Sequence, residues 1–363
     1  MTDLVVISLE RWDGVWRRNQ HLVSGLLRTD PDLRVLFVEP PDDPVHDLRS
    51  GRKPEFGESM RRIDDRLFIT RPVKWLPRRV DPRADERLSR AVQQAARQLD
   101  ITDPLLWIND PAATRVAQDT GWRTLYDITD DWLAAQRPAN ELARIEAGER
   151  WLLKHAAVVV ACSPELVRRK SPQRRDIALV RNGVDTARYR MASERPTDAP
   201  TEPYALYVGT LHRDRIDIDL CVQTAAALRG HGRLVLLGPE AWSAADGERV
   251  REAGVVVLGS REHDQVPAYL QHADVLVVPH VVDEFTESLD PIKLYEYQAA
   301  GRPVVSTPVA GFRDEPDVIV AEASAFAAAV AAAVPAGRLP QKAASTGADW
   351  SERVAQFHAL LAR

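Results

Sequence analysis

The stretch from Thr286 to Val305, T-E-S-L-D-P-I-K-L-Y-E-Y-Q-A-A-G-R-P-V-V, constrains this chain more than any other. Asp290 is a helix-capping residue type, and Pro291 suits a first helical turn, where a missing N–H costs nothing. Helix formers follow, Gly301 stops the helix, and Arg302–Pro303 lead into the β-branched pair Val304–Val305. The segment reads as loop, helix, tight turn and strand. Lys293 and Glu296, three residues apart, share one helix face near its N-terminus. That end offers free N–H groups and partial positive charge, which suit a phosphate, and Lys293 adds a mobile cation. Glu296, one turn deeper, can accept from the vicinal hydroxyls of a ribose. A diphosphate beside a ribose is a nucleotide. The same spacing also describes an ordinary solvated helix face, and the residues alone leave both readings open.

A chain of 363 residues suits two medium domains, and 45% hydrophobic with 28% charged residues is ordinary for a globular protein. The net charge of -5 argues against general nucleic-acid binding. Cys162 and Cys221 lie far apart, each beside apolar residues, and read as buried thiols rather than a disulfide. No Cys/His group has zinc spacing, no apolar run is long enough to span a membrane, and no basic region precedes an apolar core at the N-terminus. The expectation is a cytoplasmic protein.

Short apolar runs alternate with helical patterns throughout, which predicts Rossmann-like units. Leu4–Ser8 reads as the first strand and Arg34–Glu39 as the next, with a loop and helix between. Gly14 gives that loop backbone freedom, and Trp12, Trp16, Arg17 and Arg18 surround it. The first loop of such a unit lies at the carboxyl end of the sheet, where ligands bind, although aromatics packed on their own helix would look the same. Pro40–Pro82 reads as irregular surface cover. Asp127, Asp130 and Asp131 follow a strand and raise three possibilities: a metal-binding cluster, a wall of an acceptor site, or a helix N-cap. Met191–Pro203 has linker composition. The expected domains are 1–190, a linker 191–203, a second unit 204–340, and a terminal helix in 341–363. The second unit restarts the alternation with Tyr204–Val208 and the loop G-T-L-H-R-D-R, Gly209 to Arg215. Arg215 is suited to a phosphate, or to a surface pair with Asp217 or Asp219.

P-I-K-L-Y-E-Y-Q-A-A-G-R-P-V-V resembles the donor-site segment of GT-B glycosyltransferases of family 4, in the bacterial subgroup that builds cell-wall polymers, polysaccharides and natural products. The first loop, N-G-V-D at Asn182–Asp185, the Gly209–Leu211 loop and this segment also come in the family's order. The resemblance implies two Rossmann-like domains facing across a cleft, with the terminal helix packing back on the first. It implies that Glu296 holds the donor ribose and that Arg215 and Lys293 neutralise the diphosphate as catalytic cations. Gly209, Thr210, Gly238, Ser260 and the amides of Ser288 and Leu289 would complete donor binding, while Gly14, Trp16, Arg17 and Asp130 would face the acceptor. The family needs no metal and no cofactor beyond the nucleotide sugar. Two departures stand out. Many relatives carry a second Glu eight positions before the ribose Glu, where this chain has Ser288, with Glu287 one position out of register. Thr210 stands where relatives carry an Arg, and Arg215 where they carry a Lys.

The implied activity is transfer of a sugar from a nucleoside diphosphate to a hydroxyl acceptor (a glycan, lipid-linked sugar or small molecule), with retention at the anomeric carbon. No residue announces itself as a nucleophile, which suits a same-face mechanism with the diphosphate as leaving group. Three other readings remain: a sugar-nucleotide epimerase of the same fold, a catalytically silent sugar-binding homologue, and a pseudo-glycosyltransferase coupling cyclitols. Basic residues from Arg61 to Arg97, with Trp75 and Leu76 among them, raise a peripheral contact with the inner face of the membrane.

Overall fold

A computed structural model describes residues 3–49, 53–54, 60–78, 80–334 and 348–362. The chain forms two α/β units, Met1–Arg181 with Arg353–Arg363, and Asn182–Glu352. The first contains β1 (Asp3–Ile7), α1 (Arg18–Thr29), β2 (Arg34–Val38), α2 (Pro44–Arg49), β3 (Arg61–Arg62), β4 (Leu67–Thr70), α3 (Ala84–Gln98), β5 (Leu105–Ile108), α4 (Thr114–Thr120), β6 (Thr124–Ile128), α5 (Ala139–His155), β7 (Val158–Ala161), α6 (Pro164–Lys170) and β8 (Ile177–Leu179). The second contains α7 (Thr186–Arg190), β9 (Tyr204–Val208), α8 (Ile218–Ala227), β10 (Arg233–Leu237), α9 (Ala244–Glu252), β11 (Val256–Gly259), α10 (Val266–His272), β12 (Val275–Val278), α11 (Ile292–Ala300), β13 (Val304–Ser306), β14 (Val318–Val320) and α12 (Ala323–Ala333). The last helix, α13 (Trp350–Leu361), belongs from Arg353 onward to the first unit.

The first sheet runs β3-β4-β2-β1-β5-β6-β7-β8 and the second β11-β10-β9-β12-β13-β14. Among the described strands, the pairings are parallel except β3 with β4. Strands such as Val275–Val278 are apolar at every position because helices cover both faces of a parallel sheet. The order of the second sheet is that of a doubly wound dinucleotide fold. The direction in which successive strands are added reverses between the parallel neighbours β9 and β12, and ligands of such sheets bind outside the carboxyl ends of those two strands. In the first sheet the same reversal separates β1 from β5.

Two sequence expectations need correction. Pro40–Pro82 is not simply irregular: Leu67–Thr70 is an interior strand, parallel to β2 and flanked by β3. Four residues between Asp/Arg and Arg/Pro carry too little periodicity to announce a strand. The unit boundary falls after Arg181, so residues 182–190 belong with the second unit rather than the first. Residues 335–347, across the expected 340/341 boundary, lie outside the described residues. The end of α13 packs inside the first unit: Phe357 lies 4.5 Å from Trp107, ring centre to ring centre, and Gly25 is small because Val354 occupies the space of a side chain there. Cys162 and Cys221 are both free and buried.

Candidate active site

Of the expected donor residues, Gly209 and Thr210 follow β9, Gly238 follows β10, Ser288 and Leu289 lie beyond β12, and Ser260 follows β11. Gly209 follows β9 and Gly238 follows β10, and both adopt φ of 148°, a backbone that L side chains rarely take. A Cβ on Gly238 would stand 2.1 Å from the Gly209 carbonyl oxygen, so the two loops touch backbone to backbone. Their N–H groups continue the sheet ladder, Gly209 to the Leu237 carbonyl and Gly238 to the Gly259 carbonyl, each at 2.9 Å. A Cβ on Gly209 would meet the Lys293 Nζ at 3.2 Å, which places that amine against the first loop.

Helix α11 delivers the charged pair. It begins at Ile292 and ends at Gly301 in the left-handed region, φ 67°. Asp290 does not cap it. Its carboxylate instead accepts from the Asn182 N–H at 2.6 Å and the Tyr295 hydroxyl at 2.7 Å, while its carbonyl accepts from the Asn182 side chain. The N-G-V-D stretch is thereby tied to the start of α11, and the cap position is Pro291. The Lys293 Nζ sits 5.1 Å over the Tyr207 ring. Burial and the neighbouring Arg215 guanidinium lower its pKa to about 8, against a smaller opposing pull from Glu296. Arg215 lies over the Phe285 ring. Asp217 caps α8 by accepting from the Leu220 N–H, and Asp219 pairs with Arg249.

Glu296 projects one turn beyond Lys293, and its Oε1 accepts from the Tyr189 hydroxyl at 2.6 Å. Burial raises its carboxyl pKa, while Tyr189 and Lys293 pull the other way. Ser288 is fully buried and donates to the Phe285 carbonyl at 3.0 Å; Glu287 binds Arg313 at 2.7 Å. The Ser288 and Leu289 N–H groups close a 3-10 turn with long bonds of 3.3 and 3.4 Å. Thr210 follows Gly209, with its carbonyl accepting from the His212 N–H at 3.0 Å. Ser260 is exposed after β11, and its carbonyl accepts from Arg261 at 2.8 Å.

Sequence reasoning missed three residues here. Tyr189 lies on α7, whose five residues show no helical pattern. His280 follows β12, is buried, and shares a hydrogen bond through Nε2 with the Tyr207 hydroxyl at 3.1 Å. Burial and the cations Lys293 and Arg215 hold its pKa well below the ordinary value, so it is neutral. Position at a strand's carboxyl end was the available signal for both His280 and Tyr207.

The acceptor-side candidates lie on the first unit. Gly14 is not among the glycines at positive φ. Trp16 meets His21 edge to face at 5.2 Å. The Arg17 N–H donates to Gln20 Oε1 at 3.2 Å, and its guanidinium donates to the Val15 carbonyl and faces Asp13 and Glu10. The buried Gln20 also donates to the Arg11 carbonyl, so the loop is stapled largely to itself. Asp130 accepts from the Thr129 hydroxyl at 3.2 Å. Asp127 and Asp131 do not form a shared cluster: Arg18 holds Asp127, whereas Lys170 and Arg169 hold Asp131, each at 2.8 Å. No helix starts at Asp130 or Asp131, which removes the N-cap reading. Among the described residues no group of three or more His, Cys, Asp or Glu is placed to hold a metal.

Residues 202–334 match the family model described as Glycosyl transferases group 1. The second unit carries a group 1 glycosyltransferase domain. The chain is 23% identical over 219 residues to a putative teichuronic acid biosynthesis glycosyltransferase of Bacillus subtilis, covering 56% of this chain and 55% of that protein. It is 29% identical over 179 residues to glycogen synthase of Mycobacterium tuberculosis, covering 46% and 41%. The chain thus spans about half the length of the curated relatives it matches. Among solved structures, it resembles Anabaena HepE in complex with UDP-glucose, with a TM-score of 0.69, 15% identity and full coverage of both chains. It also resembles sucrose-phosphate synthase from Thermosynechococcus elongatus, with a TM-score of 0.65, 18% identity, and coverage of 100% and 97%. These likenesses establish the GT-B fold around the glycosyltransferase domain.

The basic stretch of the first unit is largely compensated. Arg71 binds Glu39 at 2.6 Å, Lys74 binds Asp43 at 2.5 Å, Arg78 binds Asp85 at 2.7 Å, and Arg87 pairs with Asp81. Arg79 lies outside the described residues. Trp75, Leu76 and Val80 are exposed nonetheless. Among the described residues no helix is long and apolar enough to cross a membrane.

Proposed function

We propose that this chain is a retaining, metal-independent glycosyltransferase that moves a sugar from a nucleoside diphosphate to a hydroxyl acceptor. The observation that carries the reading is Lys293 and Glu296 on one face of α11, with Lys293 against Gly209 at the switch point of a group 1 domain. Lys293 and Arg215 neutralise the diphosphate, and Glu296 takes the ribose hydroxyls. The amides of Ser288 and Leu289 exchange their long, weak turn bonds for diphosphate oxygens. Transfer then runs on one face of the sugar. The bond from the anomeric carbon to the diphosphate oxygen breaks, the acceptor oxygen bonds to that carbon, and the acceptor proton passes to the departing diphosphate. The protein supplies orientation and charge stabilisation rather than a nucleophile. UDP, with which HepE has been solved in complex, is the first diphosphate to try.

Glu296→Ala tests the site. Loss of a charge-assisted acceptor weakens nucleoside diphosphate binding by about 1.5–3 kcal/mol. Calorimetry on the folded variant reads this directly, and unchanged affinity would remove Glu296 from the site.

For the acceptor we propose a lipid-linked sugar reached by peripheral contact through Trp75, Leu76 and Val80. Because the surrounding cations are mostly paired, apolar insertion contributes more than charge. Co-sedimentation with anionic vesicles should persist at moderate salt and drop for Trp75→Ala. Absence of binding at low salt would point instead to a free, small acceptor.

A further inference from the structure

The buried hydroxyl of Tyr189 belongs to the short helix after N-G-V-D, and nothing in the proposed transfer uses it. Tyr189 is only 1% exposed. The segment that carries it is fixed along its length. Asn182 binds Asp290 through backbone and side chain, Asp185 caps α7 by accepting from the Arg188 N–H at 3.1 Å, and the Tyr189 carbonyl accepts from Gln271 at 3.0 Å. The ring therefore has little freedom, and its hydroxyl points at Glu296 Oε1 from 2.6 Å.

We infer that Tyr189 is the positioning residue for Glu296: its single hydroxyl proton fixes one carboxylate oxygen, so that the other is presented to the ribose of the donor. This rests on the donor-site reading above. A carboxylate on a half-buried helix face has rotamers that turn it back toward Lys293, three residues away on the same face. A short bond from a phenol that cannot move selects one rotamer before the ligand arrives and lowers the ordering cost of binding. An oxygen holding one hydrogen bond retains a second lone pair, so Oε1 remains able to take a ribose hydroxyl as well. The same bond keeps the carboxyl ionised against burial, which raises its pKa. The carboxylate is present above its pKa and lost as pH falls. Removing the phenol therefore moves the loss of ribose binding to higher pH.

The experiment compares the full chain, Tyr189→Phe, Glu296→Ala and the double variant by calorimetry, with UDP and GDP and their 2′,3′-dideoxy counterparts across pH 5–8. The parent prefers the ribonucleotide by about 10–150-fold. Tyr189→Phe cuts that preference at least about fivefold, leaves dideoxynucleotide affinity unchanged, and shifts the acid limb of ribonucleotide binding upward. In the Glu296→Ala background it changes nothing, which a merely structural role for Tyr189 would not predict. A Tyr189→Phe protein with full preference and an unmoved acid limb, alongside Glu296→Ala that loses the preference, overturns the role of Tyr189 alone. If Glu296→Ala keeps the preference, or neither diphosphate binds, the donor-site reading falls and this inference with it.

Discussion

Replacing Lys293 by Ala should lower kcat/KM for sugar transfer about 10²–10³-fold, in the range seen when one preorganised partner of a developing charge is removed. Negative charge accumulates on the diphosphate as the bond to the sugar breaks, so a cation aimed there acts more strongly in the transition state than in the ground state. Lys293 sits against Gly209 and over Tyr207, at the carboxyl end of β9, where the proposed diphosphate would lie. The loss should appear in turnover, with the Michaelis constant for an uncharged acceptor nearly unchanged. Arg215→Ala should behave alike, because its charge already lowers the Lys293 pKa and so acts on the same region. A loss confined to the acceptor Michaelis constant would take both residues away from the leaving group. The pH profile adds a second readout. With its pKa lowered to about 8, Lys293 is charged below that pH and neutral above it, so kcat/KM, which reports the free enzyme, should fall above about pH 8. Arg215→Ala removes a neighbouring positive charge and should push that alkaline limb upward.

Helix α11 was legible because its signals are local. Lys293 and Glu296 follow from helical spacing, and Gly301 ends the helix in the left-handed conformation that favours glycine. Doubly wound topology was legible because apolar runs and helical patterns alternate from Leu4 to Val305. What stayed hidden depends on contacts distant in sequence. Asp290 has the composition of a cap, yet a residue 108 positions earlier, Asn182, takes its carboxylate, and no periodicity reports such a pairing. Tyr189 reaches Glu296 across 107 positions from a helix of one turn. The Asp127–Asp131 run looked like one cluster, but its carboxylates are drawn to different partners on α1 and α6. Sequence proximity of charges said nothing about which cation each would meet.

Those separate partners lead to the largest expected change in stability. Arg18→Met should destabilise the first unit by about 3–5 kcal/mol, because it leaves the Asp127 carboxylate buried without its counter-ion. Asp127 is fully buried, and Arg18 Nε and Nη2 each donate to it at 3.0 Å in a fork that Lys cannot reproduce. Among the described residues the remaining donor is the Asn109 side chain at 3.2 Å, which carries no charge. At about 2–4 °C per kcal/mol for a unit of this size, the melting temperature should drop by about 6–20 °C. Arg18→Met with Asp127→Leu should recover most of the loss, since an apolar pair leaves no uncompensated charge behind. If instead Asp127 served a metal, Arg18→Met would free a ligand rather than strand a charge, and added magnesium or manganese would restore stability. Activity would also fail in EDTA and return with the ion. A carboxylate gripped by a guanidinium has no need of a metal, so activity should survive chelation, and the single variant should melt low whether or not divalent cations are present.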